Sequence, residues 1–146
     1  MHTTFSRVFK LITLTTPLLF IVALTGCNVS TASLSNIKVC DQLEGGQCTS
    51  DMGTFTPDTR VFYTTANLDS APSGTKVDIN WRYLSGELGN TAQDIDSVTF
   101  TSEENSNFVQ SSLERSTPTW PKGNYEVVLK INTDNADPVH KSFSVK

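Results

Sequence analysis

The chain has 146 residues, with 11 Lys and Arg against 15 Asp and Glu and a formal net charge of −4. Two of the basic residues, Arg7 and Lys10, fall in the first ten positions, so from residue 27 onward nine basic residues face 15 acidic ones. That acidic balance argues against nucleic acid as a partner and against a face that presses on anionic lipid.

Residues 1–26 have the three parts of a secretory signal: a basic start at Arg7 and Lys10, an apolar stretch over 11–24, and small residues before a cut. Thr13, Thr15, Thr16 and Pro17 interrupt the apolar stretch. It is also shorter than the about 20 apolar residues a bilayer-crossing helix needs, so a permanent transmembrane helix is not expected. The stretch ends in Leu24-Thr25-Gly26-Cys27, an aliphatic residue, two small residues and a cysteine. This run resembles the lipobox of bacterial lipoproteins. The resemblance implies a diacylglyceryl group on the Cys27 thiol, cleavage just before Cys27, and often acylation of the freed amine. Two or more acyl chains hold a protein stably on a membrane, so the implied partner is the membrane, through lipid on Cys27. The residue after the cysteine is Asn28 rather than Asp. In a Gram-negative host the resemblance then favours the outer membrane.

With Cys27 assigned to lipid, Cys40 and Cys48 remain as an even pair in an exported protein, where disulfides persist. A structural disulfide around Gly45-Gly46 is the expectation. A metal site lacks further ligands nearby, and a redox pair is usually spaced more closely. Residues 28–36 (NVSTASLSN) are polar and small and read as a flexible tether. The expected domains are thus a signal segment over 1–26, lipidated Cys27 and tether over 27–36, and one folded domain over 37–146.

Within that domain the hydrophobic period is two. Strands are expected at 38–41, 60–67, 76–84, 97–101, 108–113, 124–131 and 139–145, separated by Gly, Pro, Asn, Asp and Ser clusters. The clearest is 76–84, where Val77, Ile79, Trp81 and Tyr83 share one face and Asp78, Asn80 and Arg82 the other. The segments 124–131 and 139–145 form an expected hairpin. Seven short strands of this kind are the profile of an all-β, immunoglobulin-like sandwich.

The runs Val77-Asp78-Ile79-Asn80-Trp81 and Trp120-Pro121-Lys122-Gly123-Asn124-Tyr125-Glu126-Val127 also resemble Ig-like and fibronectin-III-like modules of bacterial surface proteins. The resemblance implies that Trp81 fills the core and that Tyr125 ties a corner through its hydroxyl. The inter-sheet disulfide of antibody domains is missing, because Cys40 and Cys48 are too close in sequence to bridge those strands.

Chemistry is sparse. His140 is the one histidine outside the signal segment, and alternation places it facing solvent on an edge strand. A hydrolase of the envelope would need it held by a partner in a cleft. Asp94 with Asp96, and Asp134 with Asp137, offer oxygen ligands but lack the spacing of a calcium loop, and such residues commonly serve turns. No phosphate loop, zinc helix or nucleophile elbow is present. No catalytic residue, metal or cofactor is expected. Trp120 beside Pro121 reads as a cap on the core, with a sugar-stacking or partner-anchoring role as the alternative. The reading is a non-catalytic, lipid-anchored envelope module that binds another protein or supports an assembly, the alternative being a carbohydrate- or cell-wall-binding module.

Overall fold

The computed structural model describes residues 30–146. Residues 1–29, and with them the signal segment and Cys27, lie outside the described residues. Eight strands follow one another: β1 (Ser33–Cys40), β2 (Thr54–Phe55), β3 (Val61–Asp69), β4 (Lys76–Gly86), β5 (Gln93–Thr101), β6 (Phe108–Glu114), β7 (Gly123–Ile131) and β8 (Val139–Val145). They make two sheets, ordered β1-β3-β6 and β2-β8-β7-β4-β5, and among the described residues there is no helix. All pairings are antiparallel except β2 with β8. The expected all-β, immunoglobulin-like sandwich is what forms, with seven full strands and the two-residue β2 in addition.

Period-two alternation fills the space between the sheets. Val77, Ile79, Trp81 and Tyr83 of β4, with Tyr125, Val127, Leu129 and Ile131 of β7, are all buried. They meet Phe62, Ala66 and Leu68 of β3 and Val109 and Leu113 of β6 across the sandwich. Each such aliphatic or aromatic side chain stabilises by about 1.5–3 kcal/mol when fully buried. Trp81 fills the centre, and its indole N–H donates to Ser111 Oγ at 3.1 Å, so its one polar atom is satisfied. Phe143 packs edge-on to Trp81 and stacks on Tyr125 at 5.4 Å between ring centroids.

The first strand departs from the expected boundaries. Residues 33–36, read from sequence as tether, pair with Asp69, Leu68 and Asn67 of β3 through Ser33, Leu34 and Ser35. Ser30 is held as well, exchanging two hydrogen bonds with the Asn135 side chain in the β7–β8 loop. The physical reason is a β-bulge between Ser35 and Lys38, where Asn36 takes a left-handed φ of 50°. Leu34 and Val39 are separated by an odd number of positions, a spacing that a regular strand would place on opposite faces. The extra residue lets both pack against the core.

Cys40 and Cys48 form a disulfide across a Cα–Cα distance of 5.7 Å. The loop it closes lies over the outer face of β3, where the Cys48 N–H donates to Thr65 Oγ1. Just beyond it, Asp51 accepts from the Val39 N–H at 3.0 Å and pairs with Lys141 of β8. Burial raises the Asp51 pKa, but the bonds from Lys141 and Val39 outweigh it and hold the carboxyl below its ordinary value. The Met52 N–H donates to the Val39 carbonyl, and Ser144 N–H to that of Gly53. The segment from Asp51 to Phe55 therefore closes the sandwich along β1 and β8. On the opposite side β5 and β6 are left as edges.

Tyr125, at the start of β7, is 1% exposed, and its hydroxyl donates to the Pro121 carbonyl at 2.6 Å. This is the tyrosine corner of the fold. Burial first, then the charges of Tyr83 and Glu87 when ionised, push the Tyr125 pKa up to about 12.

The disulfide and the buried phenol can each be tested by stability. Replacing both Cys40 and Cys48 by Ser removes a staple closing a short loop and is expected to lower stability by about 2–3 kcal/mol in chemical denaturation. Tyr125 keeps its proton in the folded state after the unfolded chain has lost it near pH 10. Its contribution is thus intact below about pH 10 and is lost as pH rises toward about 12. Urea midpoints measured from about pH 9 to about pH 12 should fall across that window. Tyr125→Phe should flatten the fall while lowering the midpoint at neutral pH.

Candidate functional site

Three large apolar residues are exposed among the described residues: Leu88 (58%), Ile95 (40%) and Val98 (47%). All lie on β5 or the turn that leads into it. Such side chains scattered singly need no explanation, but their concentration on one hairpin marks a surface that can bind.

The hairpin tip is held from below. Tyr83 is buried, and its hydroxyl receives the Leu88 N–H at 2.9 Å and reaches the Lys122 carbonyl at 3.4 Å. The Glu87 N–H donates to the same carbonyl at 2.9 Å, and the Glu87 carboxylate accepts the Lys122 N–H at 2.8 Å. Gly86 and Gly123 face each other in the β4–β7 register. A Cβ on Gly86 would lie 2.3 Å from the Lys122 carbonyl oxygen, and its φ of 142° also favours glycine. These contacts fix the β4–β5 turn against the β6–β7 loop.

Between the two segments lies a cavity of about 260 Å³, whose lining includes apolar and aromatic residues (Tyr83, Leu88, Ile95, Trp120, Pro121 and Tyr125) together with polar ones, Asp94 among them. Trp120 forms part of its wall. It is only 6% exposed, stacks on Phe62 at 4.6 Å, and donates its indole N–H to the Thr59 carbonyl at 2.7 Å. Trp120 is therefore largely buried as a cap on the core, with one ring face taken by Phe62. A larger hollow, of about 480 Å³, lies at the other end among Ser30, Pro72, Gly74 and Thr75. It is lined by turn residues and carries no aromatic side chain.

Beside the cavity, β5 is the last strand of its sheet and pairs with β4 alone. Its register slips between Trp81 and Arg82, which oppose Asp96 and Asp94, so Ile95 is a bulged extra residue. The stretch from Ser85 to Thr101 holds three acidic residues, Glu87, Asp94 and Asp96, and no basic one.

On the outer face of the same sheet a polar network crosses four strands. Arg82 binds Asp94 at 2.9 Å and Glu126 at 2.7 Å, and Asn80 donates to Asp94 at 3.1 Å. The second oxygen of Glu126 lies 3.0 Å from His140 Nδ1. The Glu126 side chain is 10% exposed, a burial that a carboxylate tolerates because both oxygens are bonded. His140, expected to face solvent on an edge strand, is half-exposed and paired, and β8 lies between β7 and the two-residue β2 rather than at the sheet edge. Alternation correctly places it outward, but the opposed position on β7 is Val128, and Glu126 reaches it diagonally. Asp94 and Asp96 serve the sheet: Asp94 takes Arg82 and Asn80, and Asp96 takes the Ser97 N–H. Among the described residues no group of three His, Cys, Asp or Glu side chains converges on a common point.

No family model and no curated protein matches the chain. Solved structures do match, at low identity. An alkylpurine DNA glycosylase, AlkC of Pseudomonas fluorescens, solved bound to DNA containing an abasic site analog, superposes with a TM-score of 0.50 and 13% identity. The match covers 80% of this chain but only 31% of the glycosylase, so this chain spans about a third of that protein's length. A superoxide reductase (neelaredoxin) variant of Ignicoccus hospitalis matches at a TM-score of 0.45 and 11% identity, over 77% of this chain and 82% of its own. Likeness at this identity concerns the fold alone.

Proposed function

We propose that this chain is an envelope lipoprotein whose non-catalytic, immunoglobulin-like domain binds another protein. The observation that carries the reading is the gathering of Leu88, Ile95 and Val98 on one rigidly held hairpin, beside an aromatic-lined cavity and an unpaired sheet edge. Burial of apolar surface is the main favourable term in protein association, and buried aromatic and aliphatic anchors carry most of it. The membrane address rests on the Leu24-Thr25-Gly26-Cys27 motif and its leader.

An anchor at Cys27 would also imply a direction for the domain. Ser30 is fastened at the β7–β8 loop, next to the start of β4, whereas the cavity adjoins the end of β4. β4 has 11 residues, which at about 3.3 Å each separates the two ends by roughly 35 Å. Lipid on Cys27, only a few residues before Ser30, holds the Ser30 end within about 10 Å of the membrane surface. The β4–β5 hairpin then points away from the bilayer.

The glycan-binding alternative is weakened by the burial of Trp120. The Glu126–His140 pair belongs to an open sheet face, with the second carboxylate oxygen committed to Arg82.

Two measurements test the reading. Intact-mass analysis of the mature N-terminus should find an acylated Cys27; an unmodified thiol there removes the anchor. Cross-linking in the native envelope should join the chain to a second protein, with linked positions on the β4–β5 hairpin. Recovery of the uncomplexed chain alone under several growth conditions rules against protein binding.

A further inference from the structure

We propose that the β5 edge and the adjoining cavity form one docking surface for an extended, basic segment of another protein. That segment adds as a strand beside β5 and seats a large apolar side chain between Leu88, Ile95 and Pro121. The proposal rests on the protein-binding reading and deepens it by naming the surface and the chemistry of the occupant.

The edge supplies backbone pairing. β5 has nine residues and one neighbour, so the N–H and C=O groups that point away from β4 have no strand partner. An added strand satisfies such a row, and affinity then comes from main-chain bonds while selectivity comes from pockets that receive alternate side chains. Here the pocket exists already at the start of β5, and its walls are held by the Tyr83 and Tyr125 hydroxyls rather than by loose loops. Little ordering entropy is then lost on binding.

The charges select the occupant. Glu87, Asp94 and Asp96 are distributed along the turn and strand, with no Lys or Arg from Ser85 to Thr101. Asp94 is paired with Arg82 of β4, which leaves Glu87 and Asp96 as the carboxylates without a cation across from them among the described residues. A basic segment meets complementary charge along its length. A second copy of this chain does not: two β5 strands laid side by side bring these carboxylates twice over onto one ribbon without a cation from either strand. The bulge at Ile95 and the register of Asp96, opposite core-facing Trp81, are further devices by which edge strands resist self-pairing. The same features leave the edge open to a partner that brings positive charge.

The test uses the full chain in detergent and two short synthetic probes. One is Lys-Val-Lys-Val-Phe-Val-Lys-Val-Lys; the other has Glu at every Lys. The lysine probe should bind, slow amide hydrogen exchange along β5, and lose affinity as salt is raised. Leu88→Ser and Ile95→Ser, both at exposed positions that the fold does not need, remove the apolar seat without adding charge and should each weaken it about tenfold. Ser112→Asp, on the exposed face of β6, should leave binding unchanged, and circular dichroism should show all three variants folded. The glutamate probe should bind at least about tenfold more weakly than the lysine probe.

The proposal is overturned if neither probe binds, if both bind equally, if the hairpin variants have no effect, or if protection appears on another strand. Protection of β5 by self-association at rising protein concentration also overturns it, with a second copy as the true occupant. An envelope partner cross-linked away from the β4–β5 hairpin leaves protein binding standing and removes this surface. The absence of any envelope partner removes both.

Discussion

The end of the sandwich that carries the cavity depends on two buried tyrosine hydroxyls. Tyr125 donates to the Pro121 carbonyl and Tyr83 reaches the Lys122 carbonyl, so adjacent peptide groups of the β6–β7 loop are tied to the core from β7 and β4 respectively. A buried phenol must find a partner, and a buried carbonyl left unpaired costs about 1–3 kcal/mol. The Tyr125–Pro121 bond thus satisfies two groups at once, while the Lys122 carbonyl is shared between the Tyr83 hydroxyl and the Glu87 N–H. The loop, so fixed, positions Trp120 over Phe62, and Lys122 in turn grips Glu87 at the hairpin tip. The shape of the cavity is a consequence of core packing.

The same dependence explains which parts of the fold were legible in the sequence. Strands buried on one face announced themselves by alternation, and the expected 139–145 segment matches β8 at both ends. Trp81 and Tyr125 occupy the places that the resemblance to Ig-like modules implied. The misreadings fall where the period breaks. The first half of β1 is made of small polar residues that read as tether, and the bulge at Asn36 inverts the alternation that would join it to the second half. β2 has two residues and no period to detect. β5 begins at Gln93 rather than 97 because its first residues include Asp94 and Asp96, which resemble turn formers and are exposed on both faces.

The candidate site was less legible than the fold, for a physical reason. Trp120 stands out in the sequence as a loop aromatic beside Pro121, and it lies buried against Phe62. Leu88 and Ile95 carried no local signal, because an isolated aliphatic residue in a polar segment looks the same whether it faces solvent or a pocket. Only the return of the β6–β7 loop, much later in the chain, brings Pro121 and Trp120 beside them. Likewise the Glu126–His140 pair needs the β7–β8 register before the two side chains can be placed together.

The two sides of the sandwich are treated unequally, and this asymmetry bears on function. Along β1 and β8 the open backbone groups are covered: Val39 is bonded through both its N–H and its carbonyl, to Asp51 and Met52, and Ser144 is bonded to Gly53. Along β5 no segment of the described chain performs that service. A fold of this size can cover an edge with a few residues, as the Asp51–Phe55 segment does. An edge left uncovered invites aggregation unless charge and irregularity restrain it, and β5 has both, in its acidic residues and its bulge. Restraint by negative charge acts on copies of the same chain and not on a cationic strand. The open edge therefore resists pairing with a second copy of the chain, whereas a strand of opposite charge meets no such repulsion.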